Sequence, residues 1–351
     1  MRTPRLERAW SFVAHCLGDR GLDPACLDFE AIAALAHTHR LGSILGEPKL
    51  TASSARGLVP AALWATWDRE RVAAVATAIV RGQPTKAALQ AIAPVPAIVL
   101  KGAAYAELLY DVPARSMGDV DLLVPVDAFQ EAICGLERAG FRQTHPRDPT
   151  LTHPLYHERE LASPQLVIDL HQGFIQRERL AVDYAAIFDR SLPWPSLAAN
   201  ARLLAPEDAV AYHAVHAAIG QFTAGAAPSI GFVDLWMMLA RRGPFWRTGP
   251  TLRLGEVPAR AREWGAERML YAFVSLARRL FPSLEGSLAA LSPALPALAR
   301  IALEQLIVAR AYPPRIHDPP RVEVLARKAL LMLPSHRLRF LGTHALRSVS
   351  P

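Results

Sequence analysis

Apolar positions fall into three regimes along the chain. Through the first ninety-odd residues they recur at helical spacing. Leu27 to Leu41 carries one such stripe, and Leu63 to Val80 a longer, alanine-rich one. Gly82 and Pro84 are expected to end that second helix, leaving a short helical piece from Thr85 to Ile92. The period then changes abruptly. Pro94-Val95-Pro96 stops helix character, and Ala97-Ile98-Val99-Leu100 is an unbroken apolar run suited to a buried strand. A helix from Ala103 to Tyr110, a strand from Val120 to Val124 and a helix from Asp127 to Ala139, closed by Gly140, follow in order. Leu166 to Leu170 reads as a further strand, with Pro154 to Leu161 as its hairpin partner.

Helices return at Pro206-Glu207-Asp208, where proline and acids suit a first helical turn. Further helical stretches lie around Ile230 to Arg241, Ala266 to Leu280, Ala299 to Ala311 and Val322 to Leu333. The expected layout is an α+β chain: a helical region over 1–93, an α/β core over 94–205 and a second helical region over 206–351.

Composition narrows the class. With 51% hydrophobic and 20% charged residues, 351 residues can bury a real core, which excludes a disordered chain. The longest apolar runs, such as Ala87 to Leu100, fall short of the ~20 residues a bilayer needs and are broken by Gln90, Pro94 and Pro96. MRTPRLERAW lacks the apolar core of a signal peptide, so a cytoplasmic location is expected. Three cysteines without CxxC spacing argue against a disulfide framework or a thiolate zinc site. Net charge is +7, and only four of the 39 basic residues are lysines, so each lysine, Lys101 included, carries some information.

Candidate chemistry concentrates in Ile98-Val99-Leu100-Lys101-Gly102 and Arg115-Ser116-Met117-Gly118-Asp119-Val120-Asp121-Leu122-Leu123-Val124. Asp119 and Asp121, two apart on a strand, point to one face about 7 Å apart along it. Like charges so placed call for a cation, and hard oxygen ligands suit Mg2+ (or Mn2+). Asp169, inside the apolar run Val167-Ile168-Asp169-Leu170-His171, is a third carboxylate that a lone strand would tolerate poorly. If its strand lies beside that of Asp119 and Asp121, the three acids converge. Such a group can hold two cations roughly 3.5–4 Å apart and clamp an in-line phosphoryl displacement. Asp169 would also draw a proton from an acceptor hydroxyl. Gly102, closing a strand and opening a helix, lets backbone approach a phosphate, with Lys101 as a point charge and Arg115 as a bidentate fork.

LKGAAYAELLY, ARSMGDVDLLV and VIDLHQGF resemble the uncharacterised nucleotidyltransferase family of the polymerase-beta-like nucleotidyltransferase superfamily. The resemblance implies a minimal mixed sheet flanked by helical regions, with Gly102 at the turn, Asp119 and Asp121 as the metal-binding pair and Asp169 as the third acid. It implies transfer of a nucleoside monophosphate from an NTP to a small-molecule, peptide or protein acceptor. One departure stands out: Ala103 follows Gly102 where the superfamily commonly has serine. An adaptor that keeps a nucleotide cleft without turnover is the alternative.

Other candidates rank lower. His171 shares the face of Asp169 and suits nucleotide, metal or acceptor binding, although a hydrogen-bonded structural histidine is the favoured reading. His213, His216 and Asp234 could be drawn as a zinc site, but no His-Glu-x-x-His pattern supports one, and helix packing with Asp234 bonding a histidine or an arginine is favoured. Arg310 and His317 match the spacing of an RNA-cleaving pair, yet Pro313 and Pro314 stand between them. The basic stretch from Arg321 to Arg347 offers a membrane surface or a nucleic acid some charge. With Phe340 its only aromatic, a solvated or partner-docking face is favoured over both.

Overall fold

A computed structural model describes residues 4–19, 27–144, 158–175, 180–218, 230–240, 244–308 and 330–331. Its centre is a mixed sheet of β1 (Ala97–Val99), β2 (Val120–Leu123), β3 (Arg142–Gln143), β4 (Glu158–Ala162), β5 (Val167–His171), β6 (Leu192–Pro193) and β7 (Ala201–Leu203), in the order β3-β4-β5-β2-β1-β7-β6. The fold is therefore α+β, as the change of period along the sequence implies.

The two central strands carry the pattern that puts them there. Ala97, Ile98 and Val99 are all buried, and Val120 and Leu122 are fully so on one face of β2. β1 runs antiparallel to β2, pairing Ile98 with Leu123, while β2 and β5 run parallel with Asp121 opposite Asp169. β4 completes the expected hairpin with β5, Glu158 lying opposite His171. β6 and β7 were not anticipated. They are two and three residues long, and Ala201-Arg202-Leu203 is too short to show a period.

The N-terminal helices pack as the apolar stripes require. α1 (Pro4–Cys16), α2 (Phe29–Thr38), α3 (Gly42–Leu45) and α4 (Ser53–Arg56) precede the long α5 (Ala61–Ala91). Asp28 caps α2 by accepting from the Ala31 N–H at 3.1 Å. The expected break at Gly82 and Pro84 does not occur: α5 runs through both. Proline inside a helix costs about 3 kcal/mol, but burial on either side outweighs it. Trp67 and Ala74 enter the core before Pro84, and Thr85, Ala88 and Leu89 after it.

After the sheet's first strand come α6 (Lys101–Leu108) and α7 (Phe129–Arg138), the latter followed by Gly140 at φ +95°. α8 (Tyr184–Arg190) precedes β6. α9 (Pro206–Ala217) is buried along nearly its whole length, and α10 (Ile230–Ala240) packs beside it. Among the described residues no helix is long and apolar enough to cross a membrane. Arg310, His317 and the stretch from Arg321 to Arg347 lie outside the described residues, Leu330 and Leu331 excepted.

Candidate active site

The register of β2 against β5 decides which side chains meet. Residues paired across parallel strands share a face, so Asp121 and Asp169 stand side by side and His171 follows two positions along. Ligand atoms of Asp121, Asp169 and His171 all lie within 4.8 Å of one another. Asp119, just before β2, stands outside this tight group. Its charge still reaches Asp169.

Hydrogen bonding then fixes the turn that follows β1. The Leu100 N–H donates to the Asp121 carbonyl at 2.9 Å, which sets the start of α6 beside the acid. Lys101 Nζ consequently lies 3.0 Å from Asp121 Oδ1, and the His171 Nε2 lies 3.2 Å from the same oxygen. Burial alone would raise the Asp121 pKa, but the Lys101 ammonium and His171 hold it well below the ordinary carboxylate range. Asp169 behaves oppositely. Burial, with the nearby Asp121 and Asp119 carboxylates, pushes it up to about 7. Two neighbouring acids thus differ sharply in proton affinity, because Lys101 and His171 favour the ionised form of one while like charges oppose it in the other.

Gly102 leaves a small cradle in the wall of this site. A Cβ there would sit 3.7 Å from Arg115 Nη1, the Asp119 carbonyl and Met117 Cβ, in ordinary contact with all three. Packing therefore does not demand glycine. Arg115 itself is less available than its sequence position suggests. Its Nε and Nη2 grip Asp234 at 2.8 Å each, and Asp234 also accepts from Tyr110 Oη at 2.8 Å. The fork expected for triphosphate oxygens is thus taken by Asp234, and Nη1, which bonds the Ser116 carbonyl at 3.3 Å, is what faces Gly102. The guanidinium also lies over the Tyr105 ring, 5.7 Å from its centroid.

The histidines of α9 take separate parts. His213 Nε2 meets the Gly231 carbonyl at 2.7 Å. His216 Nδ1 lies 3.5 Å from Lys101 Nζ, and burial followed by that ammonium pushes its pKa well down, so it is a neutral acceptor. With Asp234 committed to Arg115 and Tyr110, the possible zinc site of His213, His216 and Asp234 does not form. Sequence reasoning missed Glu158, which approaches His171 Nδ1 at 3.5 Å, and missed the Lys101–His216 contact. Hairpin register is the only clue to the first; nothing local reveals the second.

The residues present fit a divalent cation. Asp121 Oδ2 is buried and has no hydrogen-bond partner among the described residues, so this oxygen of the group's central acid is left to be satisfied. Two carboxylates and one imidazole form a mixed donor set that suits Mn2+ as well as Mg2+. A mixed sheet bearing paired acids beside a helix-opening glycine is the architecture of a nucleotidyltransferase. The chain belongs to the uncharacterised nucleotidyltransferase family, whose model matches residues 25–282. No curated protein and no solved structure matches it.

Proposed function

We propose that the protein transfers a nucleoside monophosphate from an NTP to a hydroxyl or amine of a small-molecule, peptide or protein acceptor. The observation that carries this reading is the in-register pair Asp121 and Asp169, closed by His171 and set beside the Lys101-Gly102 turn. Asp121, Asp169 and His171 would hold a divalent cation, Mg2+ or Mn2+, with Asp119 beside them; it would supply positive charge to the phosphoryl oxygens.

The chain's own groups supply the remainder. The Gly102 cradle admits phosphate oxygens to the first turn of α6, with Arg115 Nη1 on its rim. Lys101, the residue before Gly102 and held between Asp121 and His216, neutralises phosphate charge. Asp169, the acid with the raised pKa, accepts the acceptor's proton as its oxygen or nitrogen attacks the α-phosphorus. The bond to the β-phosphate breaks and pyrophosphate leaves. Rate enhancement would come from positioning and charge neutralisation, without a covalent enzyme intermediate.

Purified protein incubated with Mg2+ and each α-labelled NTP, with cell extract as acceptor source, tests this. Label transfer by the wild type and none by Asp121→Asn or Asp169→Asn is expected; equal transfer by all three refutes the assignment. A second reading, nucleotide binding without turnover, draws on Ala103 at the usual serine position and on Lys101 occupying Asp121. Metal-dependent NTP binding without pyrophosphate release would favour it.

A further inference from the structure

A cleft of about 480 Å³ opens between α2, α3 and α5 on one side and the Ser116-Met117 segment on the other. Its size falls within the roughly 300–1,000 Å³ of small-molecule sites. Met117 is common to the cleft and to the Gly102 cradle, where its Cβ lies 3.7 Å from the position a Gly102 Cβ would take. The two spaces are therefore neighbours across one side chain. The segment between them is fixed: Arg81 Nη1 donates to the Met117 carbonyl at 2.9 Å, and Ser116 Oγ donates to the Arg40 carbonyl at 3.4 Å. Arg40 adopts φ +54°, an unusual conformation for arginine, at the rim of the cleft.

The lining is chemically divided. Ala73, Ala74 and Met117 give an apolar wall, while Ser43, Thr77 and Glu70 give hydrogen-bonding groups. Gly42 is what lets Glu70 in, because a Cβ there would fall 1.9 Å from Glu70 Oε2. Among the described residues Glu70 and Arg40 form no ion pair with each other or with any neighbour. A half-buried carboxylate and an exposed guanidinium thus face one cleft, each without an ion-pair partner among the described residues.

We infer that this cleft, on the nucleotidyltransferase reading above, takes the nucleoside of the NTP, and that Glu70 selects ribonucleotides by accepting from the ribose diol. Sheet order favours the nucleoside over the acceptor. Asp169 lies on β5, on one side of β2, whereas the chain enters Gly102 from β1, on the other. The acceptor must reach Asp169; the cleft adjoins Gly102, where the triphosphate covalently attached to the nucleoside is held. The apolar wall suits the face of a base, the thioether of Met117 being a good partner for an aromatic ring. Arg40 Nη1, 3.7 Å from where a Gly118 Cβ would be, stands on the side toward the catalytic strand, where phosphates would leave the cleft.

The test compares Mn2+-dependent binding of ATP, dATP and inorganic tripolyphosphate to the full chain by calorimetry, with Glu70→Ala and the cleft-filling Ala73→Phe alongside. The wild type should prefer ATP to dATP about tenfold, the effect of one hydrogen bond to a charged group. Glu70→Ala should bring that ratio to about one. Ala73→Phe, at an exposed position on α5, should weaken both nucleotides about tenfold or more. Tripolyphosphate should bind all three proteins equally. A wild-type ratio near one, or a ratio that survives in Glu70→Ala, overturns the pocket while leaving the reaction standing. If neither nucleotide nor tripolyphosphate binds the wild type, the nucleotidyltransferase reading falls and the pocket with it.

Discussion

Lys101 Nζ lies 3.0 Å from Asp121 Oδ1, and the pair is nearly closed to solvent, Asp121 being 2% and Lys101 19% exposed. A lysine at the start of a helix and an aspartate in mid-strand are held together by the Leu100–Asp121 backbone hydrogen bond. Truncating either partner strands the other in a poorly solvated place. Asp121→Asn is expected to cost about 3 kcal/mol of stability, the low end for breaking a buried pair. Adding Lys101→Met should restore most of it, whereas nucleotidyl transfer should be absent from both variants. Denaturant unfolding of the two single variants and the double variant checks the coupling.

Gly102 separates structural from functional demand. The site of its missing Cβ is free of clashes, and the residue is helical, so Gly102→Ala should raise stability by roughly 0.5–1 kcal/mol. The added methyl would fill the cradle and weaken tripolyphosphate binding about tenfold or more. Thermal melts and calorimetry on one preparation read both effects. A methyl that raises stability and leaves binding untouched removes Gly102 from the phosphate site.

Asp169 gives the site a pH dependence of definite sign. Its pKa is raised to about 7, so between the ordinary carboxylate value and neutrality the folded protein holds a proton the unfolded chain has lost. Stability should therefore fall as pH rises from about 4 to 7, and Asp169→Asn should flatten that slope. A cation must displace the same proton, so metal affinity should rise steeply from pH 6 to 8 in the wild type. Urea unfolding from pH 4 to 7 and Mn2+ binding at pH 6 and pH 8 measure the two effects.

Arg115 and Asp234 make the second buried pair, with Asp234 fully enclosed and Arg115 7% exposed. Asp234→Ala should destabilise the fold by about 3–5 kcal/mol. Arg115→Met with Asp234→Leu should recover folding, since both charges are then gone, yet bind tripolyphosphate more weakly because Nη1 no longer borders Gly102. Chemical denaturation and calorimetry distinguish the two contributions.

Much of this was legible beforehand, and the limits have physical causes. The switch from helical spacing to short apolar runs located β1, β2 and β5, because central strands must be apolar on both faces. Asp119, Asp121 and Asp169 stood out because acids inside such runs are costly. What spacing could not show was register. That His171 joins Asp121 and Asp169 while Asp119 stands outside the group depends on which residues pair across β2 and β5. Pro84 misled for a related reason, as its local penalty is visible in sequence and the burial of Ala88 and Leu89 that offsets it is not. Arg115 read as a free phosphate ligand because Asp234, although expected to bond a histidine or an arginine, lies 119 residues away and nothing local names Arg115 as its partner.

Mn2+ titration followed by electron paramagnetic resonance reads the cation site with no knowledge of the acceptor. Performed at pH 8 on the wild type, Asp121→Asn, Asp169→Asn and the exposed-surface variant Glu131→Gln, it should show saturable binding by the wild type and Glu131→Gln and loss of at least tenfold in affinity for both aspartate variants. Uptake of Mn2+ that is the same in all four proteins, or absent from the wild type, would contradict the assignment of Asp121 and Asp169 as the metal-holding centre of a nucleotidyltransferase.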